Sequence, residues 1–302
     1  MIIATSVFAG IIILLAIIYT YYYRMAFVRK KTKGPMISVG TNNEEFKRRI
    51  NEGVEWFNSK EKEDVYISSY DGLKLHAYYL ESNTVLENKK LMIMFHGYRS
   101  SYKDFACAFE YYSSLGFDMI VADQRAHGKS EGKLITFGVK ERYDVVEWVK
   151  YAKERFSDSD IYLDGISMGS STVMMASDMV EGVKGIIADC GYTSPKEIII
   201  CVAKAMRVPK MFVYPVGILA RLFGRFDYTY SAEKSLSKTN IPIIMIHGLA
   251  DNFVPSYMTD KNFDDCSSKK TKVLVENASH GYSFLVEEAR VKTELEKFIS
   301  EN

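Results

Sequence analysis

Three residues of this chain have the residue types that nucleophilic catalysis requires. Ser167 is the centre of Gly-Ile-Ser-Met-Gly, Asp251 ends His-Gly-Leu-Ala-Asp, and His280 lies in Ala-Ser-His-Gly. A serine hydroxyl is a poor nucleophile until a base removes its proton, and histidine suits that task because its pKa lies near neutrality. A carboxylate fixes the tautomer of the histidine and stabilises its charged form. We therefore predict that Ser167 is the nucleophile, His280 the base and Asp251 the acid.

The sequence around Ser167 has the pattern of a strand, a tight turn and a helix. A short apolar run at residues 161–163 precedes the serine, and a helical pattern follows from Met168. Such a turn needs small residues two positions either side of the serine and lifts its hydroxyl clear of the sheet. It also directs the Met168 backbone N–H at a developing oxyanion, at a helix N-terminus that favours negative charge. We predict that the backbone N–H of Tyr98, after the apolar strand 91–95, is the second donor.

Other titratable residues are alternatives or neighbours of this set. Asp189 also follows an apolar strand pattern and is the rival to Asp251 as the acid. For the base, the position of His280 after the last predicted strand distinguishes it from the other histidines. His96 is predicted to be a structural turn residue. Arg125 and His127, in a loop after a predicted strand, have two open interpretations, a structural role and a contact with substrate.

Strand and helix patterns alternate from about residue 61 onward. The apolar runs predict a hairpin at 65–80 and strands at 91–95, 117–122, 161–163, 183–188, 241–246 and 272–275. A helix is predicted over 101–114 between two of them. Strands that alternate with helices predict an α/β fold with a doubly wound, mostly parallel sheet. We assign this fold to residues 61–302.

One stretch between two predicted strands contains no strand pattern. About fifty residues after Cys190 carry apolar residues at helical spacing instead. A structureless loop of this length is improbable in a compact domain, so we predict a helical cap inserted at about residues 191–240. Its side chains Met206, Met211 and Phe212 are predicted to contact the substrate.

The N-terminal segment has the pattern of a membrane anchor. Residues 2–23 contain no charged side chain, and about 20 apolar residues suffice to cross a bilayer as a helix. The run ends in four tyrosines and is followed by five cations: Tyr19, Tyr21, Tyr22, Tyr23, then Arg24, Arg29, Lys30, Lys31 and Lys33. A cleavable signal peptide has its positive charge before the apolar run instead. We predict that residues 1–33 form a single-pass anchor in the cell membrane, with the enzyme on the cytoplasmic side because of the cations.

Residues 34–60 are predicted to connect the anchor to the α/β domain. Within them, residues 43–59 have the apolar spacing of an amphipathic helix. The sequence leaves two positions open for this helix, on the α/β domain or on the bilayer surface.

Composition excludes several classes of protein. Of the 302 residues 47% are hydrophobic, which is too many for a disordered chain, and the net charge of +1 gives no indication of nucleic-acid binding. The four cysteines are scattered, and neither they nor the histidines have the spacing of zinc ligands. We therefore expect reduced thiols, no metal and no cofactor. Nothing in the sequence indicates an oligomeric state.

Taken together, the motifs resemble those of the α/β-hydrolase superfamily over about residues 60–300. More narrowly, they resemble the serine-aminopeptidase-like and monoacylglycerol-lipase-like serine hydrolases, including membrane-anchored bacterial members. The resemblance is carried by His96-Gly97, the loop from Asp123 to Ser130, Gly165 to Gly169, the Asp251 motif and Ser279-His280-Gly281. It implies a cofactor-free acyl-enzyme reaction in which Ser167, Asp251 and His280 have the roles given above.

The expected activity is hydrolysis of a carboxylic ester or thioester with an apolar acyl group, a small-molecule substrate. A serine peptidase acting on short peptides is a second hypothesis, which lacks an evident acidic pair to bind a peptide amino group. A third is a catalytically silent binding protein on the same fold, against which the complete set of catalytic residue types argues.

Overall fold

The computed structural model describes residues 2–30, 43–82, 84 and 89–302. Lys31 and Lys33 of the predicted basic segment lie outside the described residues, as does the connector up to residue 42.

An eight-stranded sheet forms the centre of the protein. Its strands are β1 (Glu63–Ser68), β2 (Lys74–Leu80), β3 (Lys89–Phe95), β4 (Phe117–Asp123), β5 (Ser159–Ile166), β6 (Val183–Asp189), β7 (Ile243–Gly248) and β8 (Lys270–Val275). They lie in the order β1-β2-β4-β3-β5-β6-β7-β8. The pairs β1–β2 and β2–β4 are antiparallel, and the other pairs are parallel. The prediction of a doubly wound, mostly parallel sheet is confirmed.

The described residues form eleven α-helices, several of which cover the two faces of this sheet. They are α1 (Ile2–Phe27), α2 (Glu44–Ser59), α3 (Phe109–Ser114), α4 (Glu141–Arg155), α5 (Met168–Ala176), α6 (Pro195–Ala205), α7 (Lys210–Leu219), α8 (Glu233–Leu236), α9 (Tyr257–Asp265), α10 (Ser283–Val286) and α11 (Glu288–Ser300). The helical stretch predicted over 101–114 is present but divided into two parts. A short 3₁₀ turn at Tyr102–Phe105 precedes α3, because the side chain of Asp104 turns back to bond the Gly97 N–H and the Ser100 hydroxyl.

The central strands are buried on both sides. Along β3 each residue from Leu91 to Phe95 is at most 1% exposed. Met92 and Met94 belong to the core on the side of α2, α3 and α11, and Leu91 and Ile93 to the core on the side of α4 and α5. Alternate side chains of a strand point to opposite faces, so a parallel strand covered by helices on each side is apolar throughout.

Helix α2 lies on the α/β domain, which decides between the two positions left open by the sequence. The helix begins after Asn43, whose side-chain oxygen accepts from the N–H groups of the first turn. Phe57 is 1% exposed, and its ring centroid lies 4.4 Å from that of Tyr102 and 4.6 Å from that of Phe109. Arg49 forms an ion pair with Glu288 at 2.6 Å. The amphipathic face is therefore covered by protein.

The segment between β6 and β7 is helical, as its apolar spacing predicts. It contains α6, α7, a π-helical turn at Ala220–Gly224 and α8. The cap helices α6 and α7 pack against each other, and α7 also packs along α1. This cap and the end of α1 share one apolar cluster that includes Phe27, Val216 and Phe226.

Helix α1 combines an exposed apolar part with a buried end. Among the described residues, the stretch Thr5–Phe27 is long and apolar enough to cross a bilayer, and none of its most apolar window is buried. The helix ends at Phe27, within the segment predicted to form the anchor. Phe27 is fully buried, with its ring centroid 5.7 Å from Phe137 and 5.2 Å from Phe226. The last turn of α1 is therefore part of the folded body.

The packing of α2 yields a stability prediction. We expect Phe57→Ala to destabilise the protein by about 3–5 kcal/mol, because it deletes a buried ring between Tyr102 and Phe109 and leaves a cavity. The measurement is the midpoint of thermal unfolding of the detergent-solubilised protein. Glu55→Ala, at an exposed position of the same helix, is the control and should change stability by less than about 0.5 kcal/mol. Equal midpoints for the two variants would mean that α2 is not docked on the domain.

Candidate active site

The turn between β5 and α5 presents Ser167 in an unusual backbone conformation. Its φ is +57° and its ψ is −111°, a region that costs a non-glycine residue roughly 1–3 kcal/mol. The surrounding backbone fixes it, since the Ser167 N–H donates to the Asp189 carbonyl at 2.8 Å and the Ser167 carbonyl accepts from Ser171 N–H at 3.0 Å. These backbone hydrogen bonds hold the strained turn in place, and the turn positions the Ser167 hydroxyl at the end of the sheet.

The two glycines of the Gly-Ile-Ser-Met-Gly motif allow this turn to form. A Cβ at Gly169 would collide with the carbonyl of Phe95 at the end of β3, and a Cβ at Gly165 would collide with the backbone of Gly169. The helix α5 can therefore approach the sheet only because both positions lack a side chain.

Ser167, His280 and Asp251 come together at the carboxyl ends of the strands. His280 Nε2 lies 2.8 Å from Ser167 Oγ, and His280 Nδ1 lies 2.6 Å from Asp251 Oδ2. The other oxygen of Asp251 accepts from the N–H groups of Phe253 and Val254, each at 2.8 Å. This chain of contacts has the order in which a proton can pass from the serine to the histidine while the carboxylate orients the ring.

A profile of the alpha/beta hydrolase fold matches residues 90–214 of this chain. Among solved structures, the Pyrococcus furiosus esterase Pf2001 superposes with a TM-score of 0.67 at 24% identity, covering 80% of this chain and 92% of that one. The chain has the α/β-hydrolase fold. The structure of Est1E from Butyrivibrio proteoclasticus with ferulic acid is similar too, with a TM-score of 0.60 at 23% identity, covering 78% of this chain and 98% of the other.

Two further proteins are similar to this chain in amino-acid sequence. The uncharacterised protein YqkD of Bacillus subtilis is 22% identical over 294 residues, covering 94% of this chain and 92% of the relative. The protein bem46 of Schizosaccharomyces pombe is 22% identical over 216 residues, covering 70% of this chain and 68% of that one.

The rival carboxylate, Asp189, occupies a different environment from that of Asp251. It ends β6, and His280 bonds Asp251 instead. Within the described residues its Oδ1 has no hydrogen-bond partner. It lines a small cavity of about 50 Å³ with Asp104 and Asp164, and burial raises its pKa to about 6. Burial disfavours ionisation of Asp251 too, but the hydrogen bonds and charges of His247 and His280 outweigh it and hold the pKa of Asp251 well below its usual range.

The sequence analysis did not identify His247 as a neighbour of Asp251, the predicted acid. Its Nδ1 lies 2.6 Å from Thr259 Oγ1, and its Nε2 lies 2.9 Å from the Val254 carbonyl and 3.2 Å from Asp251 Oδ2. The ring therefore fixes the loop that carries Asp251. The four-residue interval between His247 and Asp251 was the available signal, but only the loop geometry brings the two side chains together.

Of the two predicted oxyanion donors, Met168 follows Ser167 in the chain and Tyr98 follows Gly97. A Cβ built at Gly97 would be 3.5 Å from the Cβ of Ser167, so the turn before Tyr98 adjoins the serine. Within the described residues, the backbone N–H of neither Tyr98 nor Met168 donates to a protein acceptor. His96 has the predicted structural role, because its Nε2 accepts from the Gln124 N–H at 3.2 Å.

Arg125 and His127 are structural residues, which decides between their two interpretations. The guanidinium of Arg125 is 2% exposed and forms ion pairs with Asp144 at 2.6 Å and with Asp71 at 3.0 Å. The buried His127 accepts from the Arg99 N–H through Nε2 at 3.0 Å, and burial lowers its pKa to about 3. Neither side chain lines the cavity next to Ser167.

An apolar cavity of about 330 Å³ adjoins Ser167, within the usual size range of small-molecule sites. Met206 and Phe212, two of the three predicted substrate contacts, line it. Met211, the third, does not line the cavity, which contradicts its prediction, and is 62% exposed. Consecutive residues of a helix point about 100° apart, so Phe212 and Met211 face different sides of α7.

A group of possible metal ligands includes two of the predicted catalytic residues, Asp251 and His280. Among the described residues, donor atoms of Cys190, Asp251 and His280 lie within 4.8 Å of one another. Asp251 and His280 already bond each other, which accounts for two of the three. The four cysteines are free thiols, of which Cys190 and Cys266 are buried.

Substitution of Asp251 and of Asp189 tests which of the two carboxylates acts on His280. We expect Asp251→Asn to lower kcat for a short-chain p-nitrophenyl ester by roughly 10³–10⁴-fold, because His280 loses the group that sets its tautomer and stabilises its charge. The matched variant Asp189→Asn should retain activity within about ten-fold, because Asp189 makes no bond to His280. The reverse ranking of the two variants would identify Asp189 as the acid.

Proposed function

We propose that this protein is a serine hydrolase that cleaves a carboxylic ester or thioester with an apolar acyl group through an acyl-enzyme intermediate. The observation that carries the proposal is the contact of His280 with both Ser167 and Asp251, at 2.8 and 2.6 Å, beside an apolar cavity. Esterases among the solved structures with this fold support an ester hydrolase.

The proposed reaction has two halves. Ser167 Oγ attacks the acyl carbonyl carbon while its proton passes to His280 Nε2, and the oxyanion is bound by the N–H groups of Tyr98 and Met168. The intermediate collapses as the bond to the leaving oxygen or sulfur breaks, and His280 gives its proton to that atom. Water then attacks the acyl group on Ser167, with His280 as the base. The carboxylic acid leaves, and the proton returns to Ser167 Oγ.

The lining of the cavity favours an acyl group over a peptide. Isoleucine, valine, methionine and phenylalanine side chains dominate it, and Arg99 is the charged residue that it includes. Within the described residues, no carboxylate lines this cavity, so a peptide amino group would lose its hydration without gaining a partner. This supports an apolar acyl substrate, with Met206 and Phe212 among its contacts, and makes the peptidase the weaker hypothesis.

The proposal includes anchoring of the enzyme in the cell membrane by α1, with the α/β domain in the cytoplasm. Exposed apolar side chains occur along α1 from Val7 to Ile17, and Arg24 and Lys30 are exposed near its end. A cleaved leader would also remove Phe27, which is fully buried in the body. This argues for a helix that stays in the mature protein. A small-molecule acyl substrate and the membrane are the proposed partners, and nucleic acid is not one of them.

Labelling with a fluorophosphonate probe tests the proposal. We expect the probe to label the wild type in the membrane fraction, because His280 activates the hydroxyl of Ser167, and to leave Ser167→Ala unlabelled. The control is Ser170→Ala, which removes a buried hydroxyl on the same helix and should be labelled like the wild type. Absence of label on folded wild type would refute an activated serine and favour the binding-protein hypothesis. Label confined to the soluble fraction would refute the anchor.

A further inference from the structure

The end of the membrane helix α1 belongs to the cavity that contains the nucleophile. Tyr22, Met25 and Ala26 line the same apolar space as Ser167. Phe27, one residue on, is fully buried. The three residues in the cavity wall indicate that α1 contributes to the site in addition to any role as a membrane tether.

The last carbonyls of α1 are bonded by the loop next to the nucleophile. Tyr98 Oη donates to the Ala26 carbonyl at 2.7 Å, and the Arg99 guanidinium donates to the Met25 carbonyl at 2.6 Å. The final carbonyls of a helix lack intrahelical partners, and a cation at this end is favourable. Tyr98 therefore connects the two parts, since its side chain caps the helix and its backbone N–H is the proposed oxyanion donor.

The cavity reaches the exposed part of α1 at an aromatic seam, which consists of Tyr19, Tyr22 and Phe212. The ring centroid of Phe212 lies 6.2 Å from that of Tyr19 and 6.1 Å from that of Tyr22. Tyr22 and Phe212 line the cavity, whereas Tyr19 lies one turn farther along α1 and outside it. The contact between α1 and α7 is thus the boundary between the cavity and the apolar outer surface.

The outer surface around this seam has the character of a membrane-binding face. Five apolar side chains of α7 and the π-helical turn are at least half exposed: Met211, Tyr214, Ile218, Leu222 and Phe223. Residues 198–226 contain cations but no acidic residue, the cations being Lys204, Arg207, Lys210, Arg221 and Arg225. Exposed apolar residues among cations are typical of segments that lie in the surface of an anionic bilayer.

The length of α1 agrees with a bilayer at this face. The part of the helix before the cavity wall, residues 2–21, is about 30 Å long at a rise of 1.5 Å per residue. The hydrocarbon core of a bilayer is also about 30 Å thick. A helix that crosses the core therefore brings the seam to the edge of the membrane, with the exposed face of α7 beside it.

We propose that the last turns of α1 form one wall of the acyl-binding site, and that the acyl chain of a membrane lipid enters between α1 and α7 directly from the bilayer. The inference rests on the proposed function, because it needs Ser167 to accept an acyl group. The substrate class is an ester-linked or thioester-linked amphiphile whose chain remains in apolar surroundings from the bilayer to the serine.

A long-chain alkyl fluorophosphonate with a diazirine at the end of its chain tests the path. It is added to the full chain in vesicles, irradiated after it has reacted with Ser167, and mapped by peptide mass spectrometry. We expect cross-links on α1 and α7, at or near the seam. Cross-links confined to other elements, such as α2 or α11, would overturn the inference while leaving the serine hydrolase intact. Absence of any reaction at Ser167 would instead overturn the proposed function, and the inference with it.

A pair of substitutions in α1 tests the same wall by kinetics. Ala26→Phe places a ring in the cavity wall and should lower the ratio of long-chain to short-chain ester kcat/KM at least ten-fold. Ala16→Phe makes the same change at an exposed position of the helix and should leave that ratio unchanged. An unchanged ratio in a folded Ala26→Phe protein would overturn the inference, and the cross-linking result stands independently if this variant does not fold.

Discussion

The hydrogen bonds that join neighbouring strand ends determine where the three proposed catalytic side chains meet. Three of them run across the carboxyl edge of the sheet: Ser167 N to Asp189 O at 2.8 Å, Cys190 N to Ile246 O at 2.9 Å, and Leu249 N to Val275 O at 2.9 Å. They link the ends of β5, β6, β7 and β8 in turn. Asp251 and His280 extend from the last two of these ends. The strained backbone of Ser167 is supported because each strand end is bonded to the next.

Buried carboxylates under this edge differ in pKa because they differ in hydrogen-bond donors. Asp251 receives two backbone N–H groups and two histidine rings, which outweigh its burial. Asp189 and Asp164 have fewer donors, and burial raises their pKa values to about 6 and about 7. The number of hydrogen-bond donors to a carboxylate, more than its depth of burial, therefore decides which carboxylate can stabilise a charged histidine.

Local pattern predicted the parts of this protein that depend on local chemistry. The strands were found because buried parallel strands are apolar throughout, and the Ser167 turn was found because its two glycines are needed within one motif. Side-chain directions were harder to predict. Phe212 and Met211 are adjacent and equally apolar, yet only the packing of α7 decides which one faces the cavity. His247 contacts Thr259, and the end of α1 contacts Tyr98 and Arg99. The periodicity of the sequence does not predict such contacts between separate elements.

The docking of α1 also has a consequence for biogenesis. Helix α1 precedes its burial partners Phe137 and Phe226, and the cap helix α7, in the chain and is therefore synthesised before them. In a chain anchored by α1, insertion into the membrane therefore precedes completion of the cavity. A polypeptide that lacked this helix would keep Phe137 and Phe226 without their partner ring and Tyr98 without its carbonyl acceptors. Loss of α1 would therefore remove the proposed anchor and one wall of the cavity together.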